Sequence, residues 1–299
     1  MKSKTIKFLL AVFLCALLFV GNALAEGDGG RKGNTLSKPT ADPIRAYMNI
    51  NNISTVIKND GISDIDVGEA QGGLVFPKGS GKTAVFESGL VWGAIVDNPS
   101  QPYVGGSTYR PGLQAGYIDG AGTVTPFDRI FRVRPDIYPG GPSVDLTNEA
   151  ADEFPLGLDA AGIRAQYDKD WSEWPADIGA PYFDRDGNGL YEWDPNANGI
   201  GAELVLDEFG DTTYIEDIPG VPGADQTIWY VANDQESGLT QDLYGTPPMG
   251  IEMQATFWAY SQTGALGNMF FRRYVIINKT DVLAGGPKTF TDMYVSMWS

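Results

Sequence analysis

From about Tyr47 to Ile277 the apolar residues arrive in short runs, and Gly, Pro, Asn or Asp separates one run from the next. Examples are Ile53 to Ile57, Leu74 to Phe76, Thr83 to Phe86, Leu90 to Val96, Phe131 to Val133, Thr227 to Val231, Glu252 to Tyr260 and Phe271 to Ile277. Val, Ile, Phe, Tyr and Trp dominate them, and these side chains suit a pleated, half-buried surface. Runs this short with frequent turn residues are strands. The chain therefore reads as mostly β, an antiparallel β-sandwich or jelly-roll-like domain with one or two short helices and a long Asp/Gly-rich loop of calcium type. Asn59-Asp60-Gly61 between two runs is a turn.

One segment departs from the β pattern. Ala160, Ile163, Tyr167 and Trp171 recur at spacings of three and four, one face of a helix, with Asp159 as its N-cap. Trp174 extends that face and Pro175 stops it, so the expected helix covers about 159–174. A shorter helical turn is expected around Val144 to Asp152, and both are read as connectors packed over the sandwich.

The N-terminus assigns a compartment. Lys2, Lys4 and Lys7 precede an apolar run from Phe8 to Val20, and Ala23-Leu24-Ala25 gives the small-x-small pattern of a cleaved signal peptide. That run is shorter than the roughly 20 residues of a membrane span. Cys15 does not fit a lipoprotein site, because Phe13 and Leu14 occupy positions that require small residues. Residues 1–25 are thus read as a signal peptide, 26–45 as a flexible Gly/Lys/Ser/Pro leader, and 46–299 as a β-rich domain. Cleavage removes the single cysteine, which excludes disulfides, and three lysines, which takes the formal charge from −17 to −20. So acidic a chain is repelled by nucleic acid and by anionic membranes and attracts divalent cations. No membrane insertion is expected after cleavage. The absence of histidine excludes Ser-His-Asp and Cys-His catalysis and histidine-ligated metals.

The stretch from Ala180 to Asp225 is rich in Asp, Asn, Gly and Pro, and so long a structureless segment inside a domain needs something to organise it. Within it, Asp184-Arg185-Asp186-Gly187-Asn188-Gly189 matches the first half of a D-x-D-x-N-G calcium loop. The twelfth position, which carries a bidentate Glu in an EF-hand, is Pro195, so no EF-hand is expected. The candidate ligands for Ca²⁺ are Asp184, Asp186, Asn188, the carbonyl of Leu190, Glu192 and Asp194, an all-oxygen set suited to a hard cation. A second ion among Asp194, Asp207, Glu208 and Asp211 is a weaker extension. Affinity in the range of extracellular modules, about 10⁻⁴–10⁻³ M, would make such an ion structural.

Other chemistry has thinner support. Gly79-Ser80-Gly81-Lys82-Thr83 looks like the end of a P-loop, but the first template glycine is Phe76, and a Gly-rich hairpin before Thr83 is the better reading. Trp and Tyr residues on a sandwich can stack on sugars, although Trp92, Trp229 and Trp258 sit in apolar runs that point to the core. A carboxylate-dependent glycoside hydrolase would need a facing pair drawn from residues such as Glu252, Glu87 and Asp97.

Met48 to Ser54, Phe76 to Trp92, Phe131 to Pro139, Ile218 to Asp234, Glu252 to Phe271 and Tyr294 to Ser299 together resemble the N-terminal region of large secreted proteins of Bacteroidota-type bacteria, which end in a type IX secretion sorting domain. The resemblance implies export and surface or extracellular display, an Asp/Asn/Gly loop at the position of Asp184 to Gly189, and no catalytic residues. Such relatives continue beyond the position of Ser299, so a longer chain is expected. The expected role is a secreted or cell-surface structural or adhesive protein stabilised by calcium, meeting an extracellular polysaccharide or a surface protein. The alternatives are a carbohydrate-binding module and the carboxylate hydrolase.

Overall fold

The computed structural model describes residues 44–66, 72–97, 102–185, 187–193 and 217–299, together with the backbone of 203–206 and 212–215. Residues 1–43, on which the expected signal peptide and most of the expected leader fall, lie outside the described residues.

Two large antiparallel sheets form the body of the domain, with short two-stranded ribbons beside them. The first contains β1 (Arg45–Met48), β2 (Thr55–Lys58), β3 (Ile62–Ile65), β4 (Ser88–Val96), β5 (Pro102–Gly106) and, at one edge, β11 (Phe290–Trp298). The second contains β6 (Gln114–Ala115), β7 (Phe131–Val133), β8 (Gln226–Asn233), β9 (Ile251–Ala259) and β10 (Phe270–Asn278). In the first, β1, β2, β3 and β4 pair in sequence order and β11 lies beside β4. In the second, β8, β9 and β10 pair consecutively. Of the two expected forms, the fold is the sandwich.

Alternation along the strands explains the layering. Leu90, Trp92, Ala94 and Val96 of β4 point inward and meet Ile228, Tyr230 and Ala232 of β8 and Ile251, Met253, Ala255 and Phe257 of β9 in one core. The intervening residues of β8, Trp229 and Val231, face the other way into a second cluster with Phe131, Val133, Trp171 and Trp174. Every residue of β8 is buried as a result. A layer of helix and loop therefore covers the outer face of the second sheet.

That layer is built around α1 (Thr147–Glu153) and α2 (Ala160–Ser172). The Asp159 side chain caps α2 by accepting the Gly162 N–H at 2.8 Å, as expected. Ile163, Tyr167 and Trp171 are buried, whereas Ala160 is exposed. Trp174 packs on the same cluster from beyond the helix, which ends at Ser172 and not at 174. A third helix, α3 (Ser237–Tyr244), was not expected, and its Tyr244 hydroxyl donates to the Gly106 carbonyl at 3.1 Å.

Three arginines of one edge tie this layer down. Arg132, 3% exposed, forms a two-pronged ion pair with Glu153 of α1, Arg134 pairs with Glu149, and Arg129 pairs with Asp170 of α2 and with Glu173. Across the sandwich, Arg272 of β10 pairs with the buried Asp64 of β3, joining the two sheets.

The Asn59-Asp60-Gly61 turn between β2 and β3 forms as expected, with Gly61 at φ +90°. A β-carbon there would meet the Ser107 hydroxyl oxygen at 2.8 Å, so both backbone sign and space require glycine. The segment with Gly79 and Gly81 is the tip of a ribbon pairing Leu74–Val75 with Thr83–Val85, a hairpin and not a phosphate loop. No helix among the described residues is long and apolar enough to cross a membrane.

Candidate functional site

The acidic loop leaves and re-enters the domain through a short ribbon, with Tyr182 opposite Pro219 and Phe183 opposite Ile218. The Gly220 N–H donates to the Pro181 carbonyl at 2.9 Å and extends this closure. Farther out, Glu203–Leu206 pairs with Thr212–Ile215 in a second ribbon. The long excursion is thus subdivided by its own backbone pairing.

Between these ribbons, Asp217 draws the calcium-type motif into a closed loop. Its Oδ1 accepts the Arg185 N–H at 2.9 Å and its Oδ2 accepts the Glu192 N–H at 3.1 Å. The Asp217 N–H in turn donates to the Glu192 carbonyl at 3.1 Å. Asp217 is only 2% exposed, so its charge is met mainly by these backbone donors.

Inside the closed loop Asp184 does similar work. Its two oxygens accept the Gly187 N–H at 2.6 Å and the Gly189 N–H at 2.8 Å, with both glycines at positive φ. Asn188 Oδ1 accepts the Leu190 N–H at 2.6 Å, and Asn188 Nδ2 donates to Glu192 Oε1 at 2.8 Å. Asp184, Asn188 and Glu192 are therefore brought onto one small loop, while the Leu190 side chain points outward, 64% exposed. Asp186 and Asp194 lie outside the described residues, as do Asp207, Glu208 and Asp211. Among the described residues no three acidic side chains converge as a metal-holding group.

The donor set on the loop is all oxygen, which matches the preference of Ca²⁺. Asp217 was not singled out from the sequence. It lies far beyond the motif in the chain, and no spacing rule connects it to Asp184; only its burial and its two backbone partners mark it.

On either side of Glu192 the loop is anchored by aromatic packing. The Tyr191 hydroxyl donates to the Trp171 carbonyl at 3.2 Å, and its ring meets Tyr182 edge-on at 5.4 Å. Trp193 meets the Trp171 ring edge-on at 5.7 Å. The loop is thus fixed at its base by strand pairing, in its middle by Asp217 and at its far side by Trp171.

The residues considered for the alternatives have other duties. Glu252 is 2% exposed; its Oε2 accepts the Ile118 N–H at 2.7 Å and lies 3.4 Å from Lys279 Nζ, so the expected acid or base is a buried structural carboxylate. Asp97, at φ 52°, accepts the Thr289 N–H at 2.8 Å and returns its own N–H to the Thr289 carbonyl at 3.1 Å, continuing the β4–β11 pairing. Trp92, Trp171, Trp174 and Trp229 are buried, and Trp258 stacks on Phe271 at 5.4 Å, so these indoles make no exposed row.

Among the described residues two carboxyls have raised pKa values, which often mark functional sites. Burial pushes Asp170 up to about 6 despite bonds from the Arg132 N–H, Arg129 and Gln166. Burial also raises Asp234, which accepts the N–H groups of Met249, Gly250 and Ile251. In each case the hydrogen-bond partners are structural.

Comparison of the chain with protein-family models, curated proteins and solved structures gave no match. The fold and the loop by themselves define the class: an antiparallel β-sandwich carrying an acidic loop closed by a buried aspartate.

Proposed function

We propose that this protein is exported and acts at the cell surface or outside the cell as a structural or adhesive module, with its acidic loop ordered by calcium. The observation that carries the metal reading is the closed loop itself, in which Asp217 fixes Arg185 and Glu192 while Asp184, Asn188 and Glu192 share one short turn. Asp184 and Glu192 put two carboxylates on this small loop, and a divalent cation would offset their mutual repulsion. Export rests on the N-terminal pattern of Lys2 to Ala25 and on the resemblance to surface-displayed bacterial proteins. The strongly acidic composition agrees with a divalent cation as ligand and disfavours nucleic acid as partner.

The test is a pair of thermal melts, one with millimolar Ca²⁺ and one with excess chelator, on the wild type and on Asp184→Ala. A ligand that binds only the folded state stabilises it by RT ln(1 + [L]/Kd), about 2.7 kcal/mol at a hundredfold excess over Kd. Calcium is expected to raise the melting temperature of the wild type and leave Asp184→Ala nearly unmoved. A wild type indifferent to calcium overturns the metal reading.

A further inference from the structure

A cleft of about 390 Å³ opens beside the acidic loop, lined by Tyr117, Phe127, Trp174, Asp177, Tyr191 and Trp193. Its volume falls in the range of about 300–1,000 Å³ typical of small-molecule sites. Trp174 is 4% exposed, but Tyr117, Phe127, Tyr191 and Trp193 keep part of their surface accessible, unlike the core indoles Trp92 and Trp229. The rings are fixed in place: Tyr191 and Trp193 by Trp171, Tyr117 by an edge-on contact with Phe127 at 5.9 Å, and the Trp174 indole N–H by the Pro181 carbonyl at 2.9 Å. A rigid aromatic wall of this kind binds with little loss of side-chain entropy.

The charges of the cleft narrow the ligand. None of its described lining residues is Lys or Arg, so no described cation there favours an anion. Glu173 at the rim is already paired with Arg129, while the Asp177 carboxylate is exposed on the helical turn Ala176–Ile178. The complementary ligand has flat C–H faces for the rings and hydroxyl donors for a carboxylate acceptor. A pyranose ring meets both requirements without bringing charge. Aromatic rings with a carboxylate also suit a methylated ammonium, and that ligand is the competing candidate the test must separate.

We infer that the cleft binds an uncharged saccharide, with Tyr191 and Trp193 stacking on a pyranose ring and Asp177 accepting from its hydroxyls. Trp171 anchors both Tyr191 and Trp193 through protein contacts of its own.

The test is titration of the full chain with cellohexaose, xylohexaose and mannohexaose, followed by tryptophan fluorescence and calorimetry, with tetramethylammonium chloride as counter-probe. At least one hexaose is expected to bind saturably and tetramethylammonium is not. Trp193→Ala is expected to weaken saccharide binding about tenfold or more, and Trp193→Phe to retain most of it. Asp177→Asn, at an exposed position that leaves folding intact, is expected to weaken it severalfold and decides the matter if Trp193→Ala fails to fold. Absence of saturable hexaose binding, binding of tetramethylammonium instead, or unchanged affinity in Asp177→Asn overturns the inference.

Discussion

Asp217→Asn removes the device that closes the acidic loop while changing almost nothing in volume. In the wild type each carboxylate oxygen accepts one backbone N–H, from Arg185 at 2.9 Å and from Glu192 at 3.1 Å. An amide presents one oxygen and one NH₂ group, so one of the two N–H donors then faces another donor. A hydrogen bond to a charged group is worth about 1.5–3 kcal/mol, and a buried donor left without a partner costs about 1–3 kcal/mol. These overlap, and about 2–3 kcal/mol is expected for opening the loop. The loss is local, because the sandwich core does not include Asp217. Hydrogen exchange is the matching assay: each 1.4 kcal/mol is a factor of ten, so protection at the Arg185 and Glu192 amides should fall by about thirtyfold or more. Amides of β8 and β9, such as those of Tyr230 and Phe257, should hold their protection. Unchanged exchange at Arg185 and Glu192, or equal loss in the core strands, refutes the assignment of Asp217 as the loop's clamp.

Two predictions concern the ionic groups under the helices, and they stand beside the calcium and saccharide tests. Glu153→Gln leaves the Arg132 charge buried without its counter-ion, an event that costs about 3–5 kcal/mol, so the melting temperature should drop by about 10 °C. The double variant Arg132→Met with Glu153→Leu should recover most of that loss, and a single variant as stable as wild type would show that the pair is not desolvated. For Asp170, the folded pKa of about 6 lies above the ordinary 3.8, so the folded state holds the proton more tightly. Its contribution is complete below about pH 4 and is lost as pH rises toward 6, a change of about 3 kcal/mol. Relative to wild type, Asp170→Asn should therefore gain stability between pH 4 and pH 7 in urea titrations. Parallel stability curves for the two proteins would reject that titration.

Much of the fold was legible in the sequence because period-2 patterns and turn residues act locally. Leu90 to Val96, Thr227 to Val231 and Phe271 to Ile277 lie within observed strands, and the run from Glu252 overruns its strand by one residue, Tyr260. The α2 cap at Asp159 and the buried face of Ile163, Tyr167 and Trp171 were equally readable, since both depend on neighbours three or four residues away. The overrun to Trp174 arose because that indole joins the same cluster from the irregular chain beyond Ser172. The helix Ser237–Tyr244 was not foreseen, because its eight residues span barely two turns, too few for the Leu239 and Leu243 pair to stand out as a period. Glu252 looked available as a solvated carboxylate in a strand, and only the approach of Ile118 and Lys279 shows that it is occupied.

The sequence by itself determined the β class, the turn at Gly61 and the collection of oxygen donors between Asp184 and Glu192, because each is set by residues close together in the chain. Only the tertiary structure decided that β8 is buried on both faces, that Asp217 returns to clamp Arg185 and Glu192, and that Tyr117 and Phe127 meet Tyr191 and Trp193 across one cleft. Such contacts join residues far apart along the chain. Burial and packing select them, and these are properties of the folded chain that no local pattern encodes.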